Sequence, residues 1–182
     1  MIIEYAQLLS TAHRVLDGKL TEVQFNGKIK KFRLLPGESI VTVESKLEIA
    51  NRTCYNLSHQ NHPSAVWARE TNSNYVWLFQ LFQETALEYT HRYGKIHKTW
   101  IELNDFLKRA PQNIVIRSRT AFPQAMPPEF KDQHDSIEAY KNYYLGPKAA
   151  FARWTNRPAP TWFQARYKDY HGTNFERTSS LG

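Results

Sequence analysis

Apolar positions recur near helical spacing at the start of the chain. There Ile2, Ile3, Ala6, Leu8, Leu9 and His13 predict an amphipathic helix over Met1–Leu16, with Gly18 as its stop. No Ser, Thr, Asp or Asn precedes these residues, so the first turn has no capping side chain. The period then shortens to two. Leu20–Phe25 and Ile29–Leu35 flank Asn26-Gly27, the preferred pair for a tight hairpin turn. Pro36-Gly37 closes this hairpin, and Ser39–Val43 predicts one more short strand. The helical period returns after His62-Pro63, which opens a short helix to about Glu70. Thr71-Asn72-Ser73 then caps a longer helix ending at Tyr93 before Gly94, with Tyr75, Leu78, Phe79, Phe82, Ala86, Tyr89 and Tyr93 on one face.

A further helix is expected from about Lys95 to Arg109, ended by Pro111. Ala110–Asp132, with Pro111, Pro123, Pro127 and Pro128, reads as ordered loop. Two short helices are expected near Asp135–Leu145 and Pro147–Trp154. The turn Arg157-Pro158-Ala159-Pro160 leads from them into Thr161-Trp162-Phe163, and residues 174–182 read as a loose tail. The expected fold class is mainly α: a compact helical single domain over residues 1–182, with a β-hairpin and loop insertion at 19–60.

Composition narrows the class. A chain of 182 residues with 41% hydrophobic and 14% aromatic residues buries a core and is too ring-rich for disorder. The single cysteine, Cys54, excludes an internal disulfide framework and fits a reducing cytoplasm. No apolar run approaches the roughly 20 residues of a membrane span, and Met1–Ile3 forms no signal peptide, so no membrane partner is expected.

Charge changes the picture most. The pI is near 9.5, and Ala139–Gly182 alone holds seven basic against two acidic residues, a net +5 of the chain's formal +7. Ten aromatic rings share that stretch. Cations hold phosphates and rings stack on bases, so DNA or a nucleotide ligand is the expected partner. The same composition also describes a Tyr/Trp-rich core with solvated cations around it. A second basic stripe, Lys28, Lys30, Lys31 and Arg33, lies on the second hairpin strand. It reads first as a solvated strand face and second as a phosphate-contacting ribbon.

Little in the chain matches familiar catalytic motifs. Walker, Gly-x-Gly-x-x-Gly and Gly-x-Ser-x-Gly patterns are absent from the sequence, and Cys54 lacks a supporting signature. Glu88-x-x-His91, with Glu84 a turn earlier, has the spacing of a bundle metal site. It has no matching second motif, and pairing of Glu88 with Arg92 or Lys95 explains it better. No metal or other cofactor is therefore expected. Glu4 stands in an otherwise apolar and neutral run, Ile2–Leu9. Half-buried there, it would have a raised pKa suited to proton transfer; facing water, it is an ordinary helix-start glutamate.

Several phrases carry a resemblance. They include Glu4-Tyr5-Ala6-Gln7-Leu8-Leu9-Ser10-Thr11-Ala12-His13, Asn61-His62-Pro63-Ser64-Ala65-Val66-Trp67 and Glu88-Tyr89-Thr90-His91-Arg92-Tyr93-Gly94-Lys95-Ile96-His97. Asn74-Tyr75-Val76-Trp77, Ala125-Met126-Pro127, Ala139-Tyr140-Lys141-Asn142-Tyr143-Tyr144, Ala152-Arg153-Trp154 and Arg157-Pro158-Ala159-Pro160-Thr161-Trp162-Phe163 complete the set. Together they resemble a group of bacteriophage proteins and, more distantly, the small phage pyrimidine-dimer DNA glycosylases of the endonuclease V type. That family is compact and helical and ends in Pro-Thr-Trp-Tyr, similar to Pro160-Thr161-Trp162-Phe163 here. The resemblance implies a glycosylase/AP lyase acting in the host-cell cytoplasm, with Glu4 as acid/base on the first helix.

Lys148, Arg153, Arg157, His62, Arg92 and His97 would then contact nucleic acid, with Trp154 and Trp162 stacking or wedging. The chain departs from the family at Ile3 and Gln7, where arginines flank the family's glutamate, and in having only three residues before Glu4. The uncapped first helix fits a start downstream of the family's. A binding module without catalysis, or a base-modifying enzyme, stands as the alternative.

Overall fold

The computed structural model describes residues 1–172; the predicted tail at 174–182 lies outside the described residues. Among the described residues helix makes up 48% and strand 14%, in six α-helices with two short 3-10 turns and two separate two-stranded sheets. The chain divides into two compact units, residues 1–121 and 122–182.

In unit 1, helix α1 (Ile2–Leu16) is the central element, packed against three other helices. Ile2, Ala6, Leu9 and Ala12 are buried as the apolar period requires, but so are Ser10, Thr11, His13 and Arg14. From Leu9 to Arg14 every residue is buried, as expected for a helix enclosed on all sides rather than lying on a surface. The polar side chains among them are all hydrogen-bonded, which is the condition for burying them cheaply.

Two hairpins follow. Strands β1 (Lys19–Phe25) and β2 (Lys28–Leu34) pair antiparallel with Phe25 opposite Lys28, and Asn26 and Gly27 both have positive φ, as a type I′ turn needs. The expected strand at Ser39–Val43 (β3) has a partner the sequence pattern did not reveal, β4 (Lys46–Ala50). Its turn uses Glu44 and Ser45 at positive φ instead of glycine, so the usual turn signal is missing.

Helix α2 (Pro63–Glu70) opens at the His62 cap, and α3 (Asn72–Tyr93) runs from the Thr71 cap to a left-handed Gly94 at φ 65°. Helix α4 (Lys98–Leu107) starts three residues later than expected because the His97 imidazole caps it, accepting from the Thr99 N–H at 3.2 Å. Asn72 and Asn74 hold the following segment across the start of α3. The Asn72 carboxamide oxygen accepts from the Arg117 N–H, and that of Asn74 from the Thr120 N–H, each at 2.9 Å.

In unit 2, helix α5 (Ser136–Leu145) is capped by the Asp135 carboxylate. The helix expected over 147–154 is reduced to a single 3-10 turn, Ala149–Phe151. A further helix, α6 (Thr161–His171), forms where the sequence reading stopped at a turn. Phe163, fully buried on α6, is ringed by Trp154, Trp162 and Tyr167 with centroids at 4.6, 5.7 and 5.4 Å. Leu145 and Ala149 complete this small core.

Candidate functional site

A densely hydrogen-bonded cluster in unit 1 is built around Arg14. Its guanidinium is fully buried and uses all five N–H groups. Two donate to the Glu38 carboxylate at 2.7 and 3.0 Å, and the others to the carbonyls of Tyr55 (2.7 Å), Arg33 (2.7 Å) and Cys54 (3.0 Å). Glu38 also receives the main-chain N–H groups of Leu35 and Thr53, both at 2.9 Å. Burial alone would raise the Glu38 carboxyl, but the bonds from Arg14, Thr53 and Leu35 outweigh it and hold the group below the usual range. With donors and acceptors satisfied, the cluster staples the segment from Arg33 to Tyr55 onto α1. Its role is architectural.

The neighbouring polar groups are also structural. The His13 Nε2 lies 2.9 Å from the Tyr75 hydroxyl and 3.1 Å from the Arg109 carbonyl, while the Tyr75 hydroxyl donates to the Leu107 carbonyl at 2.8 Å. Burial lowers the His13 pKa to about 4, against an opposing pull from Asp17 at 3.8 Å. Burial pushes the Cys54 thiol up to about 11, which suits a core thiol and not a nucleophile.

The sequence-nominated residues fall in both units. In unit 1, the Glu4 side chain is 66% exposed on the first turn of α1, 3.5 Å from the Met1 amine. The half-buried setting that would tune a proton donor is not found at Glu4; the water-facing alternative is. His62 and His97 serve as caps, accepting from the N–H groups of Ser64 and Thr99. Arg92 donates to Glu88 at 2.6 Å one helical turn away, the pairing weighed above against a metal site.

In unit 2, Trp154 and Trp162 are half-buried against Phe163, and several of the rings counted in the sequence are core. Several of the cations are also engaged, Arg153 among them through the Ala152 carbonyl at 2.8 Å. Lys141 and Arg166 both donate to Glu138 at 2.6 Å, and these bonds hold that carboxyl below its usual range. Lys148, Arg153 and Arg157 remain exposed, with the Lys148 ammonium 5.4 Å from the centre of the Tyr143 ring.

Sequence reasoning passed over Phe151. This ring ends the 3-10 turn, 77% exposed, three residues after Lys148 and two before Arg153. It was hidden among the other rings of the segment, and no period marks an exposed ring inside a turn. Arg14 was also missed. A cation in the last turn of a helix looks like an ordinary partner of the helix dipole.

Comparison with known protein families, with curated proteins and with solved structures yields no match to this chain. Among the described residues, no helix is long and apolar enough to cross a membrane.

Proposed function

We propose that the protein binds nucleic acid and that the loop spanning Lys148–Arg157 is a contact surface for it. The observation carrying this reading is Phe151: a highly exposed ring set between two exposed cations, Lys148 and Arg153. An exposed phenyl ring costs solubility unless something covers it, and a nucleotide offers a flat base face for the ring and a phosphate that attracts the exposed cations beside it. The pI near 9.5 points the same way.

The catalytic form of the reading rests on the resemblance to pyrimidine-dimer glycosylases. It assigns Glu4 the acid/base step in cleaving the N-glycosidic bond of a flipped nucleotide. Its supporting observation is access: Glu4 stands in water at the first turn of α1, where a substrate can reach it.

One set of incubations tests both forms. Duplexes carrying a thymine dimer, an abasic site or no damage are mixed with the protein, with and without borohydride. Retarded but intact DNA that is lost in Phe151→Ala supports the binding form. Incision that disappears in Glu4→Gln supports the catalytic form, and incision that survives it removes Glu4 from the mechanism. Absence of retardation at low salt refutes the proposal as a whole.

A further inference from the structure

The distribution of charge between the units differs from the impression given by the last quarter of the sequence. Counted by unit, residues 122–182 hold eight basic and six acidic residues, a net +2, while residues 1–121 hold sixteen and eleven, a net +5. Within unit 1 the ribbon β1–β2 alone holds Lys19, Lys28, Lys30, Lys31 and Arg33 against Glu22, a net +4.

We infer that this two-stranded ribbon is a duplex-binding element, laying Lys28 and Lys30 against the phosphates that border a groove. The inference rests on the nucleic-acid reading above but places a second contact on a different element. The register supplies the argument. Lys31 faces Glu22 across the ladder and bonds to it at 2.9 Å, and Arg33 turns to the carbonyls of Val15 and Gly18. Lys28 and Lys30 differ: the residues directly opposite them are Phe25 and Val23, so no carboxylate stands across from either. Both project from one face, because residues two apart in a strand share a side.

Exposure grades along β2. Lys28 to Lys31 are exposed, whereas Phe32 to Leu34 are half-buried, so the two lysines lie on the exposed, turn-proximal half of the strand. A twisted two-stranded ribbon is one of the two elements of secondary structure that the major groove of B-DNA admits. Lysines on a strand also guard against edge-to-edge pairing, and that solvated role is the competing explanation.

The test compares the full chain with Lys28→Ala/Lys30→Ala and, separately, with Phe151→Ala. Binding is followed by fluorescence anisotropy on a 20-base-pair duplex and on a single strand of equal length, across a salt series. Circular dichroism first shows that each variant keeps its fold. The ribbon variant is expected to bind the duplex roughly tenfold more weakly at low salt. Its slope of log K against log salt should fall by about 1.8, the value for two lost phosphate contacts on B-DNA. A duplex slope equal to wild type would overturn the ribbon inference while leaving nucleic-acid binding intact. An equal loss on the single strand would overturn the assignment to a duplex. Failure of the wild-type chain to bind either probe would overturn the ribbon and the function together.

Discussion

Arg14 and Glu38, twenty-four positions apart, form a bidentate ion pair in which both side chains are fully buried. Removing one partner strands the other charge, so Arg14→Ala and Glu38→Ala should each cost about 3–5 kcal/mol in chemical denaturation. A double replacement such as Arg14→Met/Glu38→Leu often rescues a buried pair. Here it should not, because the carbonyls of Arg33, Cys54 and Tyr55 and the N–H groups of Leu35 and Thr53 would all lose their partners. Full recovery of stability in the double variant would contradict this account.

The same carboxylate sets an acid limit. Because the folded-state pKa of Glu38 lies below its ordinary 4.5, its contribution is complete above that value and is lost as pH falls through the folded pKa. Glu38→Gln should therefore be less stable than wild type at neutral pH, with the gap narrowing below about pH 4.5 in urea titrations.

His13 acts in a higher window. Its pKa falls from 6.5 to about 4 on folding, so the unfolded chain binds the extra proton between those values. Stability is thus complete above pH 6.5 and declines toward pH 4, by roughly 3 kcal/mol for a shift of this size. Urea midpoints measured from pH 7 to 4 should show this slope in wild type and a flatter one in His13→Gln.

Cys54 is enclosed and its thiol is raised to about 11. Iodoacetamide at pH 8 should leave the folded protein unmodified and label one thiol per chain once denaturant is added. Rapid labelling of the native chain would show that the region around Cys54 opens.

Gly18 sits where α1 hands over to β1. A Cβ there would lie 2.4 Å from the Arg14 carbonyl oxygen, closer than atoms tolerate, and a tight 3.0 Å from the Arg33 Cβ. Gly18→Ala should destabilise by about 1–3 kcal/mol, the range for forced overpacking, and a thermal melt is sufficient to detect it.

How much of this was legible follows from which forces leave a periodic trace. The first hairpin, the Thr71 cap and the Gly94 stop were all readable, because turn chemistry and apolar spacing act over a few residues. The β4 strand was not, since Glu44 and Ser45 adopt left-handed angles that their side chains do not advertise. Helix α6 was obscured by its own rings, which make it look like an irregular aromatic segment until Phe163 is seen to be the centre of a core. Charge misled for another reason. Glu138 lies one residue ahead of the segment Ala139–Gly182, yet it pairs with that segment's Lys141 and Arg166 and offsets one of their two charges, across 28 positions for Arg166. The enclosure of Arg14 likewise depends on partners 19 to 41 residues away, beyond any local pattern.

The anchor on α1 also has a genetic consequence. Three of the five guanidinium bonds end on carbonyl oxygens, which every amino acid supplies alike. As far as this lock is concerned, codons 33, 54 and 55 are free to drift, and only codons 14 and 38 are held. Lineages descending from this chain would then diverge along the segment being held while staying fixed at the two residues that hold it.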